Sequence, residues 1–172
     1  YPITIYYAFK QSETKSEGGQ ASTGWETFLD AVINSGLSIT GTWPLRTELV
    51  GNLKKNVSAL ASSILLVCKK RDPSSAIMSR SSFRKELRKE LPKAINELEK
   101  ANIAPVDLAQ SAIGPGMKIF SKARAVLKAD DSKMTIKEAL IDINFALDDY
   151  LSESENQFDA DTNFALTFFE SF

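Results

Sequence analysis

Three stretches in the first half of the chain have the pattern of β-strands. They span residues 3–9, 37–43 and 61–69, and the third stretch is the most apolar. The second alternates apolar and polar residues with a two-residue period, and the other two are rich in apolar, β-branched and aromatic residues. Pro44 follows the second stretch directly, and because proline cannot donate a backbone hydrogen bond we expect that strand to end at residue 43. The first half of the chain is therefore predicted to form a small sheet.

A helix is predicted between the first two strands, over residues 24–36. Its buried stripe at helical spacing comprises Trp25, Phe28, Leu29, Val32 and Ile33. The strand–helix–strand unit should place its two strands parallel, and the third strand, which follows without a crossover helix, can pair antiparallel. Because one helix covers one face of such a sheet, we expect this half to be the end of a larger α/β domain.

From residue 79 onward the apolar period is that of amphipathic helices. Pro92 is expected to kink the first of these helices or to begin a second one. The "GPG" at 114–116 is expected to form a turn between two helices. The strongest helix spans 135–153 and begins with Thr135 and Glu138 at the spacing of a capping box. A final amphipathic helix rich in phenylalanine is predicted over 159–172.

Composition excludes several kinds of site. The 172 residues include no histidine and one cysteine, Cys68, which rules out Ser-His and Cys-His catalytic pairs and histidine- or thiolate-ligated metal sites. One cysteine cannot form an internal disulfide, and this favours a reducing, cytoplasmic location. The longest apolar run, 59–68, is well short of the roughly 20 residues of a transmembrane helix. We therefore predict a cytoplasmic protein with no membrane segment and no metal.

Charge is distributed unevenly along the chain. Residues 54–93 contain eleven Lys and Arg against three Asp and Glu, whereas residues 129–172 contain two Lys against eleven Asp and Glu. Solvated helix faces would account for both stretches. The basic stretch is also suited to nucleic-acid phosphate. Both interpretations remain open at this point.

The loop after the second strand combines side chains suited to nucleic-acid recognition. In α/β sheets, sites lie at the carboxyl ends of strands. Trp43 is suited to stacking on a base, and Arg46 and Glu48 are suited to directed hydrogen bonds. Lys54 and Lys55 are suited to phosphate. Alternatively, Trp43 closes the edge of the core.

The chain resembles the carboxy-terminal part of a family of S-adenosylmethionine-dependent DNA adenine methyltransferases, large proteins with an amino-terminal domain of unknown function. The similarity lies in "ITIYYAFKQ", "GWETFLDAVINSGLSITGTWPLRTEL", "ALASSILLVCKKR", "NIAPVDLAQSAIGPGM" and "FDADTNFALTFFE", and it covers nearly the whole chain. It implies an α/β fold in which residues 1–72 are the terminal β-α-β-β portion of a Rossmann-like methyltransferase sheet. The last strand of that sheet is antiparallel and lies between its two predecessors. Residues 73–172 would then form an appended all-α helical domain.

The resemblance also implies DNA as the partner and S-adenosylmethionine as the cofactor, with methyl transfer to the adenine amino group. Such enzymes bind the cofactor through a glycine-bearing loop and present adenine to a "[DNS]PP[YFW]" motif, and this sequence contains neither. We therefore expect a fragment that is inactive without a missing amino-terminal methyltransferase portion. No cofactor ligand or catalytic residue carries over. The residues that carry over as candidates for the base pocket and its neighbouring strand end are Lys10, Gln11, Trp43, Arg46, Thr47 and Glu48.

A second class of function is a non-enzymatic helical module that binds DNA or a protein partner through the basic stretch. An independent metabolic enzyme is disfavoured because the composition leaves no catalytic constellation.

Overall fold

The computed structural model of the chain describes residues 1–8, 23–46, 62–100 and 105–155. The strands are β1 (Ile3–Ala8), β2 (Leu37–Arg46), β3 (Ser62–Lys70), β4 (Ile77–Ser79) and β5 (Ala125–Leu127). The helices are α1 (Thr23–Asn34), α2 (Arg80–Lys100), α3 (Pro105–Lys122) and α4 (Ile136–Glu155). The helix predicted over 159–172 lies outside the described residues.

The first three strands form one sheet in the order β1-β3-β2. β3 is central and pairs antiparallel with both neighbours, so β1 and β2 run in the same direction. The prediction of two like-directed strands joined by a helix, with an antiparallel third strand, is confirmed. The alternate residues Ile64, Leu66 and Cys68 of β3 are all buried in the core.

The prediction that Pro44 ends the second strand is wrong. β2 continues to Arg46, with Pro44 opposite Ile64 in the ladder. β2 is an edge strand, and proline is compatible with the ladder where its nitrogen faces away from the partner strand. A register shift between Ile39 and Gly41 adds a residue to β2 just before this point.

Helices cover the inner face of this sheet. Trp25 and Phe28 of α1 pack against Tyr7, with ring centroids 5.1 and 4.4 Å from that of Tyr7. The stripe predicted for α1 is confirmed, with Leu29 fully buried. Gly36, with φ of +82°, follows α1 at a position that favours glycine, so the chain turns directly into β2.

The expectation of a turn at 114–116 is also wrong, because Gly114, Pro115 and Gly116 lie inside the continuous helix α3. The two glycines allow close packing in place of a turn. A Cβ on Gly114 would overlap with the hydroxyl of Thr42 in β2, and a Cβ on Gly116 would overlap with Ile143 in α4. α3 is therefore wedged between the sheet and α4, with no room for larger side chains at these two positions.

The second half of the chain is mainly helical but is not all-α as expected. β4 and β5 form a short parallel ladder that ties the start of α2 to the end of α3. α2 continues through Pro92 as one helix, so a second helix does not begin there. The capping box of α4 is confirmed: the Thr135 amide donates to Glu138 at 2.7 Å, and the Glu138 amide donates to the Thr135 hydroxyl at 3.2 Å.

One hydrophobic cluster joins the two halves of the chain. It contains Leu29 and Leu66 from the first half together with Phe83, Met117 and Ile143 from the second. The junction is also fixed by Arg71. Its guanidinium donates to the Ile33 carbonyl at 2.6 Å and to the Ala123 carbonyl at 3.1 Å, near the ends of α1 and α3. The division at residue 72 stays a prediction, and the helical half packs directly on the sheet.

Candidate functional site

Trp43 is the one predicted site residue whose side chain the structure describes. It lies on the outer face of the sheet with 53% of its surface exposed, so it does not close the core. Its ring lies over Gly41, where a Cβ would come within 2.8 Å of the indole. Arg46 ends β2, which gives the position of its backbone. The other six predicted residues, which lie outside the described residues, are Lys10, Gln11, Thr47, Glu48, Lys54 and Lys55.

The outer face of the sheet carries a row of apolar side chains. Leu65 of β3 lies opposite Tyr6 on one side and opposite Trp43 on the other, so the three share this face. Tyr6 is 54% exposed, and no helix among the described residues covers the row. Two half-exposed aromatic groups on either side of an apolar residue mark a surface suited to contact with another element.

β1 adds an open edge to this surface. One edge of β1 pairs with β3. No strand in the described part of the chain pairs with the opposite edge. The segment Ile3–Ala8 has no charged residue and no proline within it, the features by which edge strands resist further pairing. The free edge of β1 is therefore competent to accept another strand.

A second concentration of polar groups lies between α2 and α4, around Asp142. Its side chain is fully buried. Arg80 donates two hydrogen bonds to it, from Nε and Nη2, both at 2.8 Å, and Arg84 donates a third at 2.7 Å. The basic stretch of α2 thus meets the acidic stretch of α4, so part of the charge asymmetry along the chain is internal pairing.

The charge state of Asp142 follows from this arrangement. Burial disfavours the carboxylate, but the hydrogen bonds from Arg80 and Arg84 outweigh burial and hold the pKa of Asp142 below its usual value. The same bonds raise the pKa of both arginines. All three groups are therefore charged at neutral pH.

A groove of about 310 Å³ opens beside this cluster. Arg84, Arg88 and Phe145 line it together with Asp142 and Asp149. Phe145 is 62% exposed, and Arg88 pairs loosely with Asp149 at 3.6 Å. Exposed ion pairs of this kind contribute little to stability, so Arg88 can exchange its partner easily. The groove combines an exposed ring with two guanidinium groups.

A larger groove of about 550 Å³ lies on the other side of α2, against α3. Its lining includes Lys118 and Lys122 as well as the glutamates Glu86, Glu90 and Glu97. Among the described residues no carboxylate forms an ion pair with either lysine. The glutamates nevertheless leave this groove with mixed charge.

The described residues present no buried, uncommitted carboxylate for the ribose and amino groups of S-adenosylmethionine. Asp142, the buried carboxylate of the described chain, lies between helices and is already held by two arginines. Within the described ranges, no three acidic, Cys or His side chains come together as a metal site. None of the helices described is both long and apolar enough to cross a membrane.

Sequence reasoning missed the Asp142 cluster and Phe145. The signal available was that Arg80, Arg84 and Arg88 recur every four residues and therefore share one side of α2. The pairing of that side with α4 depends on tertiary packing, which the sequence pattern does not contain.

Comparison with protein-family models, with curated proteins and with solved structures found no match to this chain.

Proposed function

We propose that this chain is the carboxy-terminal part of an S-adenosylmethionine-dependent DNA adenine methyltransferase and is inactive alone. The observation that carries the proposal is the strand order β1-β3-β2, with the antiparallel β3 between two strands of like direction. This is the terminal strand arrangement that the sequence resemblance implies for a Rossmann-like methyltransferase sheet.

The uncovered parts of the sheet support the same proposal. The free edge of β1 would pair with the preceding strand of a complete methyltransferase sheet. The outer row formed by Tyr6, Leu65 and Trp43 would pack under a further layer, since sheets of this class carry helices on both faces. Both features then become interior to the larger protein.

In this proposal the chain completes the sheet and contributes one side of the base pocket. The loop that follows Arg46 would lie on the target-recognition side, at the carboxyl end of β2. Methyl transfer depends on positioning a flipped-out adenine against the methyl donor. The cofactor loop and the "[DNS]PP[YFW]" motif would come from upstream polypeptide.

Calorimetry with S-adenosylmethionine tests whether cofactor binding belongs to the upstream polypeptide and not to this chain. We expect no binding by this chain alone and binding by the polypeptide of the complete reading frame, which should also contain the Pro-Pro motif. Tight binding by this chain alone would contradict the division of roles. A complete reading frame without the motif would contradict the family assignment.

A non-enzymatic DNA-binding helical module is the second candidate. Lys118 and Lys122 favour it, because they form no ion pair with the described carboxylates and phosphate contacts require free basic groups. The glutamates of the same groove oppose it. Alanine at both lysines should lower duplex affinity and reduce its salt dependence if this module is the functional unit. Unchanged affinity would remove this candidate.

A further inference from the structure

We infer that the groove between α2 and α4 binds one unstacked nucleotide of single-stranded DNA, with its phosphate on Arg84 and Arg88 and its base on the ring of Phe145. This inference rests on DNA being the partner in the proposed function. It adds a binding site on the helical half of the chain, separate from the base pocket at the end of β2.

The ring of Phe145 is the first observation. The ring is 62% exposed, and no aromatic ring of the described chain stacks on it, so its face is open to a base. It lies at the wall of a cavity of about 310 Å³, within the size range of small-ligand sites. Base stacking on such a ring requires a base free of its neighbours, which single strands provide.

The charge balance is the second observation. Three guanidinium groups, from Arg80, Arg84 and Arg88, form ion pairs with two carboxylates, Asp142 and Asp149, so the paired guanidinium groups outnumber their carboxylate partners by one. Arg80 and Asp142 neutralise each other through a two-pronged contact. The excess charge therefore lies towards Arg84 and Arg88.

The accessibility of these two arginines is the third observation. The side chain of Arg84 is 52% exposed and uses one nitrogen on Asp142, which leaves its remaining donors for a ligand. Arg88 is held by the loose contact with Asp149. The two arginines are one helical turn apart, about 6 Å along the axis, so both can reach one phosphodiester.

The test is fluorescence anisotropy of the full chain with a labelled oligothymidylate of about 12 nucleotides and with a duplex of the same length. We expect the single strand to bind more tightly. Phe145→Leu keeps the apolar volume but removes the ring, and it should weaken single-strand binding about tenfold. Phe145→Trp restores a ring and should bind as tightly as the wild-type chain.

Two matched variants separate the phosphate contact from general charge. Arg88→Ala should weaken binding and reduce the slope of log affinity against log salt by about 0.7. Lys85→Ala removes the same charge from an exposed position of the same helix outside the groove, and its slope should be unchanged. Equal slopes for the two variants would overturn the phosphate contact.

Other outcomes overturn the proposal outright. Equal affinities of Phe145→Leu and Phe145→Trp would exclude stacking, and tighter binding of the duplex would exclude an unstacked nucleotide. If Phe145→Leu left the oligonucleotide affinity unchanged but lowered the melting temperature of the protein, the groove would be occupied by a segment of the chain itself, such as residues 159–172. The anisotropy assay contains no S-adenosylmethionine, whereas the methyltransferase proposal is tested by cofactor binding and methyl transfer. Failure of the groove to bind a nucleotide is therefore distinguishable from failure of the methyltransferase proposal.

Discussion

Asp142 in α4 accepts two hydrogen bonds from Arg80 at the start of α2, each 2.8 Å long, across 62 positions of sequence. The carboxylate is fully buried while Arg80 is one-third exposed. The pair fixes how the two long helices of the chain lie against each other, and it positions the groove that Arg84, Arg88 and Phe145 line.

Replacing Asp142 by Asn should destabilise the protein by about 2–3 kcal/mol, because two arginines lose their buried counter-charge and the new amide presents a donor to them. Urea unfolding measures the loss. Asp149→Asn is the matched control, since it breaks an exposed pair at 3.6 Å and should cost less than about 0.5 kcal/mol. Similar losses in the two variants would contradict a structural role for the buried cluster.

The same carboxylate makes stability depend on pH in a defined direction. The pKa of Asp142 is lower in the folded protein than in the unfolded chain, where it is about 3.9. Its contribution is therefore complete above that pH and is lost as the pH falls through the folded value. The stability difference between wild type and Asp142→Asn should be constant from about pH 7 to 5 and should shrink below about pH 4. A difference that grows on acidification would contradict the assigned charge state.

Ser121 caps the free edge of β2, where its hydroxyl accepts a hydrogen bond from the Ile39 amide at 2.8 Å. Both residues are buried, so Ser121→Ala should leave an unsatisfied donor and cost about 1–3 kcal/mol. Ser38→Ala, which removes an exposed contact of 3.3 Å, is the control and should change the free energy of unfolding little. A loss below about 0.5 kcal/mol in Ser121→Ala would mean that the amide finds another partner.

Gly114→Ala tests the close approach of α3 to the sheet. Alanine is favoured over glycine in a helix by up to about 1 kcal/mol. Here the added Cβ overlaps with Thr42, and we expect a net loss of about 2 kcal/mol. In a Thr42→Ala background part of that loss should disappear, which a double-mutant cycle measures. A more stable Gly114→Ala would show that α3 lies further from β2.

The sequence pattern predicted the elements that follow local rules. The stripe of α1 and the Thr135 cap of α4 are as predicted, because each depends on spacing within one element. The antiparallel direction of β3 was predicted from the absence of a crossover helix, whereas its position between the two other strands was an implication of the family resemblance.

The errors occur where tertiary contacts override a local signal. Pro44 lies within β2 because β2 is an edge strand, where a missing backbone donor is tolerated. Gly114 and Gly116 lie within α3 because α3 packs so closely on β2 and α4 that a larger side chain would overlap with its neighbours. The strands of the β4–β5 ladder are too short for an alternating pattern to be recognised in the sequence. The Asp142 cluster requires knowing that α2 and α4 are neighbours. Of the predicted base-pocket residues, Trp43 is exposed on the outer face of the sheet, and most of the others lie outside the described residues.

The central claim is tested most directly by transfer of a labelled methyl group from S-adenosylmethionine to adenine in DNA. The assay uses the polypeptide of the complete reading frame, and compares it with this chain alone and with the same polypeptide lacking residues 1–72. The account predicts methyladenine from the complete polypeptide and none from either shortened form. Methyl transfer that persists without residues 1–72, or its absence from the complete polypeptide, would contradict the account.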